Sequence, residues 1–144
     1  MITPAKCTIV YGDPNPEFER KYMGIYTVPD DIHEAIKPLP KRIYMNKDMM
    51  QPFENSLIDI FNNGLTEEIK EWGGCFMIRM MRGTNVPSIH SWGIAFDINV
   101  STNQMMQTPT LSPELVKCFT DNGFDWGGYF SPRTDGMHFQ LKDV

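Results

Sequence analysis

The sequence has little of what marks a disulfide-stapled, membrane-spanning or nucleic-acid-binding chain. Its three cysteines, Cys7, Cys75 and Cys118, lie far apart and form no C-x-x-C pair. This excludes a disulfide framework and reads as buried thiols of a protein made in a reducing compartment. No apolar run is long enough to cross a bilayer. Met1-Ile2-Thr3-Pro4-Ala5-Lys6 lacks an apolar core of signal-peptide length, so a chain made in the cytoplasm without a signal peptide is expected. Lysine and arginine number 13 against 18 acidic residues, a net charge of −5, with no basic cluster. Such a chain is a poor match for phosphate backbones, and neither nucleic acid nor membrane is an expected partner. There is no repeat and no low-complexity tract.

What is there is ordinary in amount. The 144 residues make one domain's worth of chain, and 41% hydrophobic with 22% charged residues excludes disorder for most of it. Eleven methionines read as adaptable core filler. Six of the eleven prolines (Pro4, Pro14, Pro16, Pro29, Pro38 and Pro40) fall in the first forty residues. That density argues against long helices, and residues 1–48 are expected to wrap over the rest as loops and edge strands, Thr8–Tyr11 and Gly24–Val28 among them.

Beyond a possible strand at Lys41–Met45, Phe53, Leu57, Ile60 and Phe61 recur at helical spacing. Pro52 fits the first turn of that helix and Asn63-Gly64 its end. A second short helix is expected through Leu65, Ile69 and Trp72, followed by a buried strand at Cys75–Met80. Ser112-Pro113-Glu114 carries a cap, a first-turn proline and an acid, opening a helix through Leu115, Val116 and Phe119 that stops at Gly123. Helices early and strands late point to an α+β domain.

The chemistry concentrates in two stretches. In Ser88-Ile89-His90-Ser91-Trp92-Gly93-Ile94-Ala95-Phe96-Asp97-Ile98-Asn99, Ile94, Phe96, Ile98 and Val100 share one face of a strand. Gly93, Ala95, Asp97 and Asn99 share the other, where two minimal side chains leave a hollow beside a carboxylate. In Asp135-Gly136-Met137-His138-Phe139-Gln140-Leu141, the apolar Phe139 and Leu141 put His138 and Gln140 on the opposite face. If the two strands pair, His138 meets His90 and Asp97. Two imidazoles and a carboxylate make a three-ligand zinc site with a fourth position open, the arrangement of a hydrolytic zinc rather than a structural one. Zinc there brings the pKa of a bound water to about 7.

Asp135, at a turn three residues before His138, is placed to act as general base. Arg79 or Arg82 is placed to bind a substrate carboxylate or to neutralise an oxyanion. Trp92, Trp126, Tyr129 and Phe130 read as core or groove walls rather than a ligand cage. His33-Glu34 is no zincin signature, because position 37 is Lys37 where a second histidine is required, and it reads as a solvent-facing loop.

Ser88-x-His90-x-x-Gly93-x-Ala95-x-Asp97 followed by Asp135-x-x-His138 resembles the D-alanyl-D-alanine carboxypeptidase and L-alanyl-D-glutamate endopeptidase family of zinc peptidases. Arg82-Gly83 and Trp126-Gly127-Gly128 bring it nearer the branch that contains phage endolysins, and the likeness runs from Gly73 to Leu141. The resemblance implies a small single α+β domain, hedgehog/D-Ala-D-Ala-peptidase-like, whose central antiparallel sheet carries the metal and is flanked by helices. It implies His90, Asp97 and His138 as zinc ligands, Asp135 as base, and a catalytic arginine for which the sequence leans to Arg82 and leaves Arg79 open. Ser88 and Trp92 are implied supports, with Trp126, Tyr129 and Gln140 in or behind the substrate groove. Gln140 stands where the family often has Glu, Tyr129 where Trp is frequent, and Ile89 where a polar residue is commoner.

The expectation is therefore a monomeric zinc peptidase over residues 1–144, with its metal-site core at 73–141, that cuts peptidoglycan stem peptides. An endolysin-like endopeptidase acting on the wall after holin-type release comes first. A D,D-carboxypeptidase, or a non-catalytic phage component that only binds peptidoglycan, are the alternatives.

Overall fold

Phe96 is fully buried and contacts five other aromatic rings, those of Phe53, Trp72, Phe119, Phe124 and Phe139. Burying a ring of this kind contributes about 1.5–3 kcal/mol, and edge-to-face pairs add to that. In the computed structural model, which describes residues 1–144, this cluster joins a four-stranded antiparallel sheet to two helices. Strand β3 is Trp72–Gly74, β4 Ala95–Ile98, β5 Phe124–Trp126 and β6 His138–Leu141, in the order β3-β4-β6-β5. Helices α4 (Lys47–Asn62) and α5 (Pro113–Thr120) supply Phe53, Leu57, Ile60, Leu115 and Phe119 to the core. A two-stranded antiparallel sheet, β1 (Met23–Thr27) with β2 (Arg42–Asn46), and three short helices, α1 (Pro4–Tyr11), α2 (Pro16–Tyr22) and α3 (Asp30–Ala35), complete the α+β fold. No helix is long and apolar enough to cross a membrane.

The proline-rich opening is helical where the sequence reading expected loops and strands. Pro4 and Pro16 sit in the first turns of α1 and α2, where a missing N–H costs nothing. Thr3 accepts from the backbone N–H of Lys6 and Asn15 from that of Phe18, capping both helices. Thr8–Tyr11 is thus helix, its Cys7 and Tyr11 four residues apart on the buried side. Gly24–Val28 and Lys41–Met45 do contribute strands, as β1 and β2.

Three more expectations are corrected. Helix α4 begins at Lys47 under an Asn46 cap, so Pro52 lies inside it rather than in its first turn. The helix expected through Leu65–Trp72 is reduced to a single 3-10 turn, Thr66–Glu68. Asn99 holds the following chain extended: its Oδ1 accepts from the N–H groups of Lys70 and Glu71, and its Nδ2 donates to Glu68. Trp72 is thereby delivered into β3. At Cys75–Met80 no buried strand forms, since the chain leaves the sheet after Gly74 and Met77, Ile78 and Met80 are exposed. Those residues pair instead with 86–90, through Met77 N–H to His90 O, Ser88 N–H to Arg79 O and Met81 N–H to Val86 O.

Candidate metal centre

The period-two alternation holds across the two central strands. Asp97 lies directly opposite His138 and Phe96 opposite Phe139 in the β4–β6 register. Phe96, Ile98, Phe139 and Leu141 enter the core, which leaves Asp97, His138 and Gln140 on the other face. His90 reaches that face from a 3-10 turn, Ile89–Trp92, opened by Ser88, whose Oγ accepts from His90 N–H at 3.3 Å. Gly93 ends the turn at φ +67, a conformation that costs any other residue about 1–2 kcal/mol. The expected hollow at Gly93 is filled: a Cβ there would lie 2.6 Å from Met23 Sδ and 2.9 Å from Asn46 N.

His90, Asp97 and His138 each offer an atom within 4.8 Å of the others'. His90 Nε2 is 3.3 Å from Asp97 Oδ2, and His138 Nδ1 is 3.4 Å from Asp97 Oδ1. These approaches are not hydrogen bonds; His90 Nε2 and Asp97 Oδ1 are buried without a partner. The outer nitrogen of each imidazole, by contrast, is engaged. His90 Nδ1 donates to the carbonyl of Cys75 at 2.7 Å, and His138 Nε2 donates to Gln140 Oε1 at 2.9 Å. When both imidazoles are neutral their protons lie outward, and the atoms that converge on Asp97 all carry lone pairs. Three acceptors facing one another in a buried place repel, and a cation between them removes the repulsion. The donor set of two imidazoles and one carboxylate suits a borderline-soft divalent ion such as zinc.

Protonation of the imidazoles is the other way to relieve that repulsion, and in the metal-free site it couples the three groups. Burial pushes the Asp97 carboxyl up, yet the two imidazoles outweigh it and hold the group well below the ordinary carboxylate range. Burial pushes His138 down, and Asp97 outweighs it in turn, so the imidazole is raised.

Asp135 stands on the loop before β6, braced from two sides. Its N–H donates to Gly127 O at 2.9 Å, and a Cβ on Gly127 would come within 2.2 Å of the Asp135 carbonyl, so only glycine permits this packing. Trp126 Nε1 donates to Gly136 O at 2.8 Å. Asp135 Oδ1 is buried without a partner. Burial raises its pKa, with Asp97 adding to the rise and His138, His90 and Arg79 opposing it.

The other singled-out residues sort differently. Trp92 is fully buried and donates from Nε1 to Gly12 O at 2.9 Å, a support and no groove wall. Tyr129 is 75% exposed, edge-on to Trp126, and the Phe130 ring lies 5.9 Å from that of His138. Gln140 is buried behind His138. Arg79 and Arg82 are both exposed, but Arg79 is held in place: Ser91 Oγ accepts from its N–H at 3.2 Å and donates to its carbonyl at 3.1 Å. Sequence reasoning missed Ser91, the Cys75 carbonyl and the Asn46 side chain, which donates to Trp92 O at 3.0 Å. Backbone acceptors leave no trace in composition or spacing, and only the proximity of Ser91 to His90 offered a signal. His33 lies in α3, in no metal cluster.

No curated protein and no solved structure gives a match. Residues 82–141, the stretch that holds His90, Asp97, Asp135 and His138, match the family model described as D-alanyl-D-alanine carboxypeptidase, the zinc-peptidase family whose motifs the sequence resembles.

Proposed function

We propose that the protein is a zinc-dependent peptidase that hydrolyses peptide bonds in the stem peptides of bacterial peptidoglycan. The observation that carries this reading is the convergence of three lone-pair atoms, His90 Nε2, an Asp97 oxygen and His138 Nδ1, coupled to a second carboxylate, that of Asp135, whose buried Oδ1 has no partner. His90, Asp97 and His138 would hold the ion. When bound, zinc supplies a Lewis acid that polarises the scissile carbonyl and makes water acidic enough to attack at neutral pH.

Asp135 takes the proton of the attacking water and passes it to the departing amine nitrogen as the C–N bond breaks. Its unpartnered Oδ1 and its raised pKa support the assignment, since a base that must also act as acid works best near the operating pH. We assign the stabilisation of the developing oxyanion to Arg79 rather than Arg82. Ser91, next to His90, pins the backbone of Arg79, and the Arg79 charge acts on Asp135.

Within the class, the Arg82-Gly83 and Trp126-Gly127-Gly128 motifs favour an endolysin-like L-alanyl-D-glutamate endopeptidase, working as a monomer on the wall after release from the cytoplasm. The description of the matching family model favours D,D-carboxypeptidase as the second reading. Digestion of purified peptidoglycan by wild-type and Asp135→Ala protein, with zinc measured in both, tests the proposal. Soluble fragments from wild type alone, with zinc retained in each, would support it, and mass spectrometry of the new termini would separate endopeptidase from carboxypeptidase. Zinc without cleavage by either would favour a binding component, and no zinc in either would overturn the site.

A further inference from the structure

The amide of Gln140 lies between two groups whose chemistry leaves it one orientation. On one side is the carbonyl of Ile2, which can only accept, and Gln140 Nε2 donates to it at 3.2 Å. Oε1 therefore faces His138 Nε2 at 2.9 Å, and the His138 proton must sit on Nε2 to make that bond. A neutral imidazole has one proton, so Nδ1, the atom 3.4 Å from Asp97 Oδ1, keeps its lone pair. All three groups are buried, so no bulk water competes for these positions.

The alternative is close at hand. Asp97 is an anionic acceptor facing Nδ1, and a charged acceptor binds an N–H more strongly than a neutral amide does. Left to itself, the pair would draw the proton onto Nδ1. The Ile2 carbonyl is held in turn by α1, whose first turn is capped by Thr3 and whose far end is tied down by Trp92 Nε1 on Gly12 O. The helix thus spans from the His90 turn to β6.

We propose that Gln140, oriented by the Ile2 carbonyl, is a positioning residue that keeps the His138 proton on Nε2 against the pull of Asp97, and so leaves Nδ1 free for a metal ion. This rests on His138 being a ligand, as argued above, and it gives the N-terminal segment a part in the site.

The test compares wild type with Gln140→Met, which removes the acceptor at similar length, and Gln140→Glu, which keeps an acceptor but cannot donate to Ile2. Long-range proton–nitrogen NMR on metal-free protein, recorded where His138 is neutral, reports which nitrogen carries the proton. Chelator competition reports zinc affinity. Gln140→Met is expected to move the proton to Nδ1, wholly or in part, and to weaken zinc binding about 10- to 100-fold. Gln140→Glu is expected to keep the wild-type tautomer and to bind zinc within a few-fold of wild type. An unchanged tautomer and affinity in Gln140→Met overturns the proposal. If Gln140→Met does not fold, loss of the wild-type tautomer in Gln140→Glu overturns it and retention upholds it. If wild type binds no zinc, the metal reading fails by itself, and the tautomer comparison still decides the role of Gln140.

Discussion

Asn46 holds the His90 turn from outside the central sheet. Its side-chain Nδ2 donates to Trp92 O and its backbone N to Gly93 O, both at 3.0 Å, while its Oδ1 accepts from Asp48 N–H and caps α4. One fully buried side chain therefore fixes both the longest helix and the turn that carries His90.

Asn46→Ala removes a helix cap and leaves the carbonyl of Trp92 buried without its donor. Each loss costs about 1–2 kcal/mol, and a decrease of roughly 2–4 kcal/mol in unfolding free energy is expected from urea titration. Zinc affinity is expected to fall as well, because the turn that positions His90 loses a tether. An Asn46→Ala protein as stable as wild type would show that the turn is held elsewhere.

Gly93→Ala tests the same junction by crowding. The added methyl meets Met23 and the backbone of Asn46, and φ +67 is strained for alanine. Backbone strain of about 1–2 kcal/mol and overpacking of about 1–3 kcal/mol add up to a loss of about 2–5 kcal/mol, a large share of an ordinary domain's stability of about 5–15 kcal/mol. Thermal denaturation followed by far-ultraviolet circular dichroism reads the loss directly.

The site was legible in the sequence because its strands obey a short period. Alternation in 94–100 and 138–141 separates Phe96 and Phe139 from Asp97 and His138 whatever the rest of the chain does. Pairing of the two strands was a conditional inference that the register makes good. The N-terminal helices were misread because proline disrupts a helix interior yet favours its first turn, and composition does not distinguish the two; the Thr3 and Asn15 caps did. Met77, Ile78 and Met80 looked like a core strand because apolar identity says nothing of which side the chain passes. The Ile2–Gln140 contact joins residues 138 positions apart through a backbone carbonyl, and no local pattern encodes it.

The buried cysteines give a prediction that for Cys7 does not involve the metal site. Cys7 is fully buried, and burial alone pushes its thiol up to about 12. Cys75 is likewise pushed up to about 12, by burial first and by Asp97 second. A thiol raised in the folded state stays protonated while the unfolded chain ionises near pH 8.5, so stability is full below that pH and falls as pH rises toward 12. The slope from each thiol reaches about 1.4 kcal/mol per pH unit. Urea midpoints measured from pH 7 to 11 are expected to decline above pH 8.5, less steeply in Cys7→Ala. A thiol reagent at pH 8 is expected to leave Cys7 and Cys75 unmodified until denaturant is added.

The roles proposed for Asp135 and Arg79 predict a pH dependence of activity. Burial raises the Asp135 carboxyl, and only its ionised form accepts a proton from water. The acid limb of kcat/KM is therefore expected above the ordinary carboxylate value of about 3.9, with activity rising as pH passes through it. Arg79 opposes the rise, so Arg79→Ala is expected to move that limb to higher pH and to lower kcat about 10²-fold through loss of oxyanion stabilisation. Asp135→Asn is expected to abolish the limb and to cost about 10²–10⁴-fold in kcat with zinc content unchanged. Arg82→Ala, whose charge is not among those that act on Asp135, is expected to leave the limb where it is. If Arg82→Ala shifts it and Arg79→Ala does not, the two arginines have exchanged roles, and the contact between Ser91 and Arg79 serves the hairpin alone.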